Sequence, residues 1–234
     1  MRKLTPVFII SVALTLGFIL WGVVAKDNLD HVTTLIQNFL QTRFGWFYLL
    51  SGTAILLFII YIAFSKFGKM KLGKDDDEPE YSTFSWIAML FSAGMGIGLV
   101  FWGVAEPVSH FNNPPFGEGA DAAAAEAAMR FSIFHWGLHP WGIYALVALA
   151  LAFFKFRKEA QGTISATFEP LLGDRTHGPI GKTIDIIAVF ATVFGVATSL
   201  GLGAIQIGGG FSSISDSISN TFGTQMIIIA AVTV

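Results

Sequence analysis

Five predominantly apolar stretches of about twenty residues constrain this chain more than any other feature. They cover residues 5–25, 45–64, 84–105, 129–154 and 183–202. A helix rises about 1.5 Å per residue and a hydrocarbon core is about 30 Å thick, so each stretch matches one crossing. Composition agrees: 53% of residues are hydrophobic and 13% charged, against about 25% charged in soluble domains. The fold class is therefore an all-α polytopic membrane protein, with the bilayer as its first partner. The stretch 5–25 is longer than a signal-peptide core and ends in no small-x-small cleavage site, so it reads as a retained span. A sixth stretch begins near Thr224 and reaches only Val234. Its ten or so residues rise about 15 Å, half of a crossing, so the sequence is expected to be cut inside a span and not to transport alone.

Charge placement predicts orientation. Eleven positive residues (Arg2, Lys3, Lys66, Lys69, Lys71, Lys74, Lys155, Arg157, Lys158, Arg175, Lys182) fall on one side of the spans, and three (Lys26, Arg43, Arg130) on the other. The positive-inside rule then puts the N-terminus in the cytoplasm. A net charge of −2 with no long basic block argues against a nucleic-acid partner, and the absence of cysteine excludes disulfides, thiolate metal sites and cysteine nucleophiles. The acidic run Asp75-Asp76-Asp77-Glu78-Pro79-Glu80 reads as a solvated linker, and Pro79 with Ser82 and Thr83 suits a helix start. We place a division there: residues 1–83 hold two leading helices and a cytoplasmic linker, and residues 84–234 begin a functional core.

The core opens on Ala93-Gly94-Met95-Gly96-Ile97-Gly98. Each glycine costs roughly 0.8–1 kcal/mol against alanine in a helix interior, so three at alternate positions make a poor continuous helix. Gly94 and Gly98 also form a GxxxG pair, whose usual role is close helix packing. The other reading is a helix opened inside the membrane, tolerated only where its freed backbone groups meet protein or line a cavity. Beyond it, Glu106-Pro107 is expected to end the span and Asn112-Asn113-Pro114-Pro115 to form a loop. Asp121 is expected to cap an alanine-rich helix running into the fourth span, with tilt, outward projection or a kink at Pro140.

That span carries Trp136, Trp141 and Tyr144. At 100° per residue they share one broad face, and Trp141 and Tyr144 lie about 16–21 Å from Lys155, at mid-membrane depth. Aromatic faces attract a quaternary ammonium, which has no hydrogen bonds to offer; plain aromatic packing between helices is the alternative. His135 and His139, four apart, can face one metal, but no carboxylate stands on that turn and no HExxH pattern is present, so the commoner reading is structural, with His139 bonding a backbone group freed by Pro140. Thr192, Thr198 and Ser199 put hydroxyls in an apolar helix. Such groups usually bond their own backbone, and they also supply oxygen to a hard cation. Asp185 belongs near the inner surface, and Glu106 near the outer one, as a cap or a bridge between helices.

Three runs together, AGMGIGLVFWGVAEP, HWGLHPWGIY and DIIAVFATVFGVATSLGLGAIQIGGG, resemble the betaine/choline/carnitine transporter family of bacteria. The resemblance implies a twelve-helix fold with a leucine-transporter-type inverted-repeat core, of which residues 84–234 are an incomplete first repeat. It implies sodium-coupled symport of a compatible solute for osmoprotection, in the bacterial inner membrane, by a protein that is often a homotrimer. It also implies no enzymatic activity and no cofactor beyond sodium as coupling ion. By resemblance, Gly94, Met95, Gly96, Ile97 and Gly98 form an unwound substrate-contacting segment, and Trp136, Trp141 and Tyr144 an aromatic box. Choline-selective members carry aspartate where Gly98 stands, so Gly98 points to a zwitterion such as glycine betaine. Sodium is assigned to Ser92 and Met95 and to hydroxyls of the fifth span, Thr192 with Ser199. Val196 replaces a threonine there and leaves a sodium-independent carnitine or betaine exchanger as one alternative. A membrane metalloenzyme using His110, His135 and His139 is the other.

Overall fold

The computed structural model describes residues 4–94, 96–215 and 219–233. Among them every regular element is helical, and they fall into two compact units: residues 1–77 with 136–192, and residues 78–135 with 193–234. Almost no large side chain is buried. The enclosed apolar residues are Ala124, Ala128 and Ala204, while Leu, Ile and Phe side chains along the long helices are exposed. In water such a surface would associate; in a bilayer the lipid tails cover it.

In the first unit, Thr5 starts α1 (Pro6–Val24): its hydroxyl accepts the Phe8 amide at 3.2 Å, and Pro6 occupies a position where no amide donor is needed. The chain turns at Ala25, where the Trp21 indole donates to the Asn28 side chain at 3.0 Å. α2 (Lys26–Phe64) then runs 39 residues, about 58 Å. Only its second half is the expected span. The polar stretch 26–44 simply continues the same helix.

The fourth expected span differs from its prediction. Instead of kinking at Pro140, the chain breaks at Gly137 (φ −84°, ψ −147°), between a helix ending at Trp136 and α6 (Leu138–Ala152). Pro140 sits in the first turn of the new helix, where its missing amide disrupts no bond within α6. α6 packs on α2 at Gly142, where an added Cβ would stand 3.2 Å from Leu56 Cα. A π-helical turn over Phe153–Arg157 extends α6. Its Arg157 donates to Gly73 O at 2.9 Å and to Asp75 Oδ1 at 2.6 Å, and Lys74 pairs with Glu159.

After α7 (Glu169–Leu172), α8 (Pro179–Ile214) spans 36 residues, of which 179–192 belong to this unit. Asp185 latches the preceding loop, accepting the Ser165 amide at 2.9 Å and its hydroxyl at 2.7 Å. Phe18 and Phe190 meet edge to face, with centroids 6.2 Å apart.

In the second unit, α3 (Thr83–Gly94) starts at Ser82, whose hydroxyl accepts the Ser85 amide at 3.2 Å. α4 (Ile97–Asn112) follows after a break. Contrary to expectation, Glu106-Pro107 does not end this segment; the helix runs through Pro107 to Asn112. α5 (Ala122–Trp136) is capped by Asp121, which accepts the Ala124 amide at 2.6 Å. The rest of α8 and α9 (Phe222–Thr233) complete the unit; Asn220, just before α9, donates to Ile205 O at 3.1 Å.

Among the described residues, four segments are long and apolar enough to cross a membrane: Pro6–Val24, Lys26–Phe64, Ala122–Arg157 and Pro179–Ile214. The expected third span does not appear among them because it is two helices, of about 18 and 24 Å.

The ion pairs around Arg157 give the 73–77 loop a defined pH response. The hydrogen bond and charge of Arg157 hold the Asp75 carboxyl below its ordinary range. Those of Lys74 lower Glu159, and Glu159 in turn raises Lys74. Carboxylates lowered by folding stabilise above their unfolded value and lose that contribution as pH falls through the folded one. The raised lysine contributes below its unfolded value and loses that contribution as pH rises through its folded one. Amide exchange protection at Gly73–Asp77, relative to the intrinsic rate, is therefore expected to be flat from about pH 5 to 10, dropping below about 4 and above about 10.5. A change near pH 6–7 contradicts the assignment.

Candidate functional site

The glycine segment breaks as its composition predicts. α3 ends at Gly94 and α4 begins at Ile97, with Gly96 at φ −72°, ψ −146° as the residue before the new helix. Met95, assigned above to both solute and sodium, lies outside the described residues. No side chain caps α4. The first amides of any α-helix have no intrahelical acceptor and the last carbonyls no intrahelical donor. The amides of Gly96, Ile97 and Gly98 therefore form a weakly positive end, and the carbonyls of Phe91, Ser92, Ala93 and Gly94 a weakly negative one. Gln206 on α8 donates to Val100 O at 3.2 Å, fixing the first turn of α4 from the side.

The aromatic residues sit around the second glycine break. Pro140 has no amide to give to Trp136 O, the carbonyl four residues back. That carbonyl accepts the Trp141 indole N–H at 3.1 Å instead. The bond pins the indole, and Tyr144 stands beside it with ring centroids 6.0 Å apart and planes at 56°. Both rings are exposed, Trp141 at 40% and Tyr144 at 69%, so their faces remain open while the indole N–H is occupied. One expectation needs correction here. Trp136 does not lie on a common helical wheel with the other two, because the helix does not continue through Gly137; only Trp141 and Tyr144 share a turn.

The fifth-span hydroxyls all bond their own helix. Thr192 donates to Ala188 O at 2.8 Å, Thr198 to Phe194 O at 2.9 Å, and Ser199 to Gly195 O at 3.1 Å. Each hydroxyl gives its proton away and keeps lone pairs, which is the form that can ligate a cation. Val196 presents only an exposed apolar side chain there. Ser199 also borders a cleft of about 400 Å³ between α8 and α9, lined mainly by apolar residues such as Leu200, Ile207 and Ile229.

The histidines group differently from the expectation. His139 Nε2 lies 3.3 Å from Thr53 Oγ1 on α2, within the first unit. His135 and His139 fall in different units, and the helix between them is interrupted at Gly137. In the second unit, Glu106 bridges α4 and α5: its Oε1 lies 3.3 Å from His110 Nε2 and bonds His135 Nδ1. The pairing of Glu106 with His110, one turn apart, is visible in the sequence; the approach of His135, 29 residues on, is tertiary and carries no sequence signal.

The chain matches the family described as "BCCT, betaine/carnitine/choline family transporter" over residues 6–234. It is 52% identical to the glycine betaine transporter OpuD of Bacillus subtilis, over all of this chain and 46% of that protein. It is also 52% identical to a probable glycine betaine transporter of Desulfitobacterium hafniense, over 47% of its length. An ectoine/hydroxyectoine transporter of Virgibacillus pantothenticus is 44% identical over 95% of this chain. The chain spans about half the length of the first two relatives.

The corner at Gly137 gives a direct test. Trp141→Phe keeps a ring but removes the donor to Trp136 O, at a cost of about 1 kcal/mol. Amides at the start of the α6 hydrogen-bond ladder, from Gly142 to Ala145, are expected to exchange about fivefold faster, with the middle of α2 unchanged. Unaltered exchange throughout means that the indole bond does not hold the corner.

Proposed function

Because this chain belongs to the betaine/carnitine/choline transporter family, we propose that it forms part of a secondary active transporter that takes up a compatible solute for osmoprotection. The solute is a trimethylammonium zwitterion of the glycine betaine type, and sodium is the coupling ion. The observation that carries this reading is the break between Gly94 and Ile97. One helix ends and the next begins there, and helix ends are suited by their amides to a carboxylate and by their carbonyls to a cation.

The solute's two ends have different requirements. The carboxylate needs hydrogen-bond donors, which the amides at Gly96–Gly98 offer without a competing charge, since no aspartate stands at Gly98. The trimethylammonium needs aromatic faces, which Trp141 and Tyr144 present, with Trp136 as the third proposed member of the box. Sodium is proposed to bind oxygen from Ser92 and the segment around Met95, and from Thr192 and Ser199. A solute and an ion that each favour the same conformational state are coupled by that difference in affinity, and the coupling is reciprocal. On this reading residues 84–234 belong to the transport core, the N-terminus is cytoplasmic, the membrane is the bacterial inner one, and the assembly is a trimer. Val196 supports one further possibility, sodium-independent exchange, because it removes an oxygen from the hydroxyl series.

The test is uptake of labelled glycine betaine by osmotically stressed cells without other betaine carriers, using the full-length transporter. A desolvated cation–π contact is worth about 2 kcal/mol. Tyr144→Ala is therefore expected to weaken apparent affinity about thirtyfold, whereas Tyr144→Phe stays near the parent. Replacing sodium by potassium is expected to abolish uptake; persistent uptake selects the exchanger. Full affinity in Tyr144→Ala contradicts the aromatic assignment.

A further inference from the structure

Glu106, His110 and His135 bring three metal-binding donor atoms within 4.8 Å of one another. Glu106 and His110 come from adjacent turns of α4, and His135 from the last turn of α5. The Glu106 and His110 side chains are only 13% and 19% exposed, whereas His135 is 49% exposed. The two imidazole rings stand 5.6 Å apart, and Phe131 covers His110 at the same distance.

Without a metal, hydrogen bonds from two imidazoles to one carboxylate oxygen account for these contacts. The dimensions also fit a metal. Zinc bonds of about 2.0–2.1 Å to nitrogen and 2.0–2.2 Å to carboxylate oxygen, at tetrahedral angles, separate neighbouring donors by about 3.3–3.5 Å. The His110 Nε2 to Glu106 Oε1 distance is already 3.3 Å. The Glu106–His135 edge must open and all three donors already lie within 4.8 Å of one another, while His135, 49% exposed, leaves a flank for water as a fourth ligand. A metal bound at His110 Nε2 and His135 Nδ1 requires each imidazole to carry its N–H on the other ring nitrogen. Two imidazoles and one carboxylate suit zinc and its neighbours rather than magnesium or calcium, which take oxygen ligands.

We propose that Glu106, His110 and His135 form a three-ligand site for a divalent metal of the zinc class, which staples α4 to α5. The site shares no residue with the proposed solute and sodium ligands, and its test does not depend on transport. Tag-free protein in detergent, stripped with a chelator, is titrated with zinc chloride by calorimetry and with cobalt chloride by visible absorption. The expected result is one equivalent bound with micromolar or tighter affinity, a tetrahedral cobalt spectrum, and a melting temperature that rises with zinc. His135→Asn, which retains a donor toward Glu106, is expected to bind at least tenfold more weakly and lose both the spectrum and the shift. His31→Ala, at an exposed histidine on α2, is expected to leave all three unchanged. Calcium and magnesium are expected to produce neither heat nor shift. Absence of a saturable equivalent in the parent protein, or parent-like binding in His135→Asn, overturns the proposal.

Discussion

Inside hydrocarbon a backbone polar group has no water to fall back on, and each unpaired one costs several kcal/mol. That constraint explains why every regular element among the described residues is helical, and why interruptions inside apolar segments are informative. The two breaks in apolar segments, before Ile97 and before Leu138, both fall at glycine, at Gly96 and Gly137, with nearly the same dihedrals. They differ in what happens to the freed groups. At Gly137 the orphaned Trp136 carbonyl is taken up by the Trp141 indole. At Gly96, among the described residues, no side chain caps the helix that follows.

The same constraint links the second break to the aromatic residues. Pro140 removes the donor that Trp136 O would have used, and the indole that replaces it is thereby held in one orientation, with Tyr144 beside it. A ring fixed by its edge keeps both faces free. Rigid, open aromatic faces are what a cation without hydrogen bonds requires, because affinity is not then spent on ordering the site. Gly142, two residues before Tyr144, lets α6 approach Leu56 of α2 closely, so the supporting helix is itself fixed by packing.

Much of this was legible in the sequence. The long spans followed from apolar length, the break from three glycines within five residues, and the starts of α3 and α5 from Ser82 and Asp121. What was not legible has physical causes. Residues 26–44 carry an amphipathic stripe, Leu29, Val32, Leu35, Ile36, Phe39 and Leu40, which a reading by apolar length alone does not mark as a continuation of α2. Pro140 looked like the kink, yet a proline is harmless in a first turn, and the glycine before it set the boundary. Pro107 looked like a stop but is carried inside α4. The wheel relating Trp136 to Trp141 assumed an unbroken helix. His139 and His135 were paired by spacing, whereas tertiary contacts send one to Thr53 and the other to Glu106.

The central claim is that the amides after Gly96 receive the carboxylate of the solute. The most direct measurement is the amide chemical shift of Ile97 and Gly98 in labelled full-length transporter, with glycine betaine and separately with choline, which keeps the trimethylammonium but has no carboxylate. The account predicts a saturable shift of both amides with glycine betaine and little or none with choline. Amides that stay unmoved while glycine betaine binds, or that move equally with choline, contradict it.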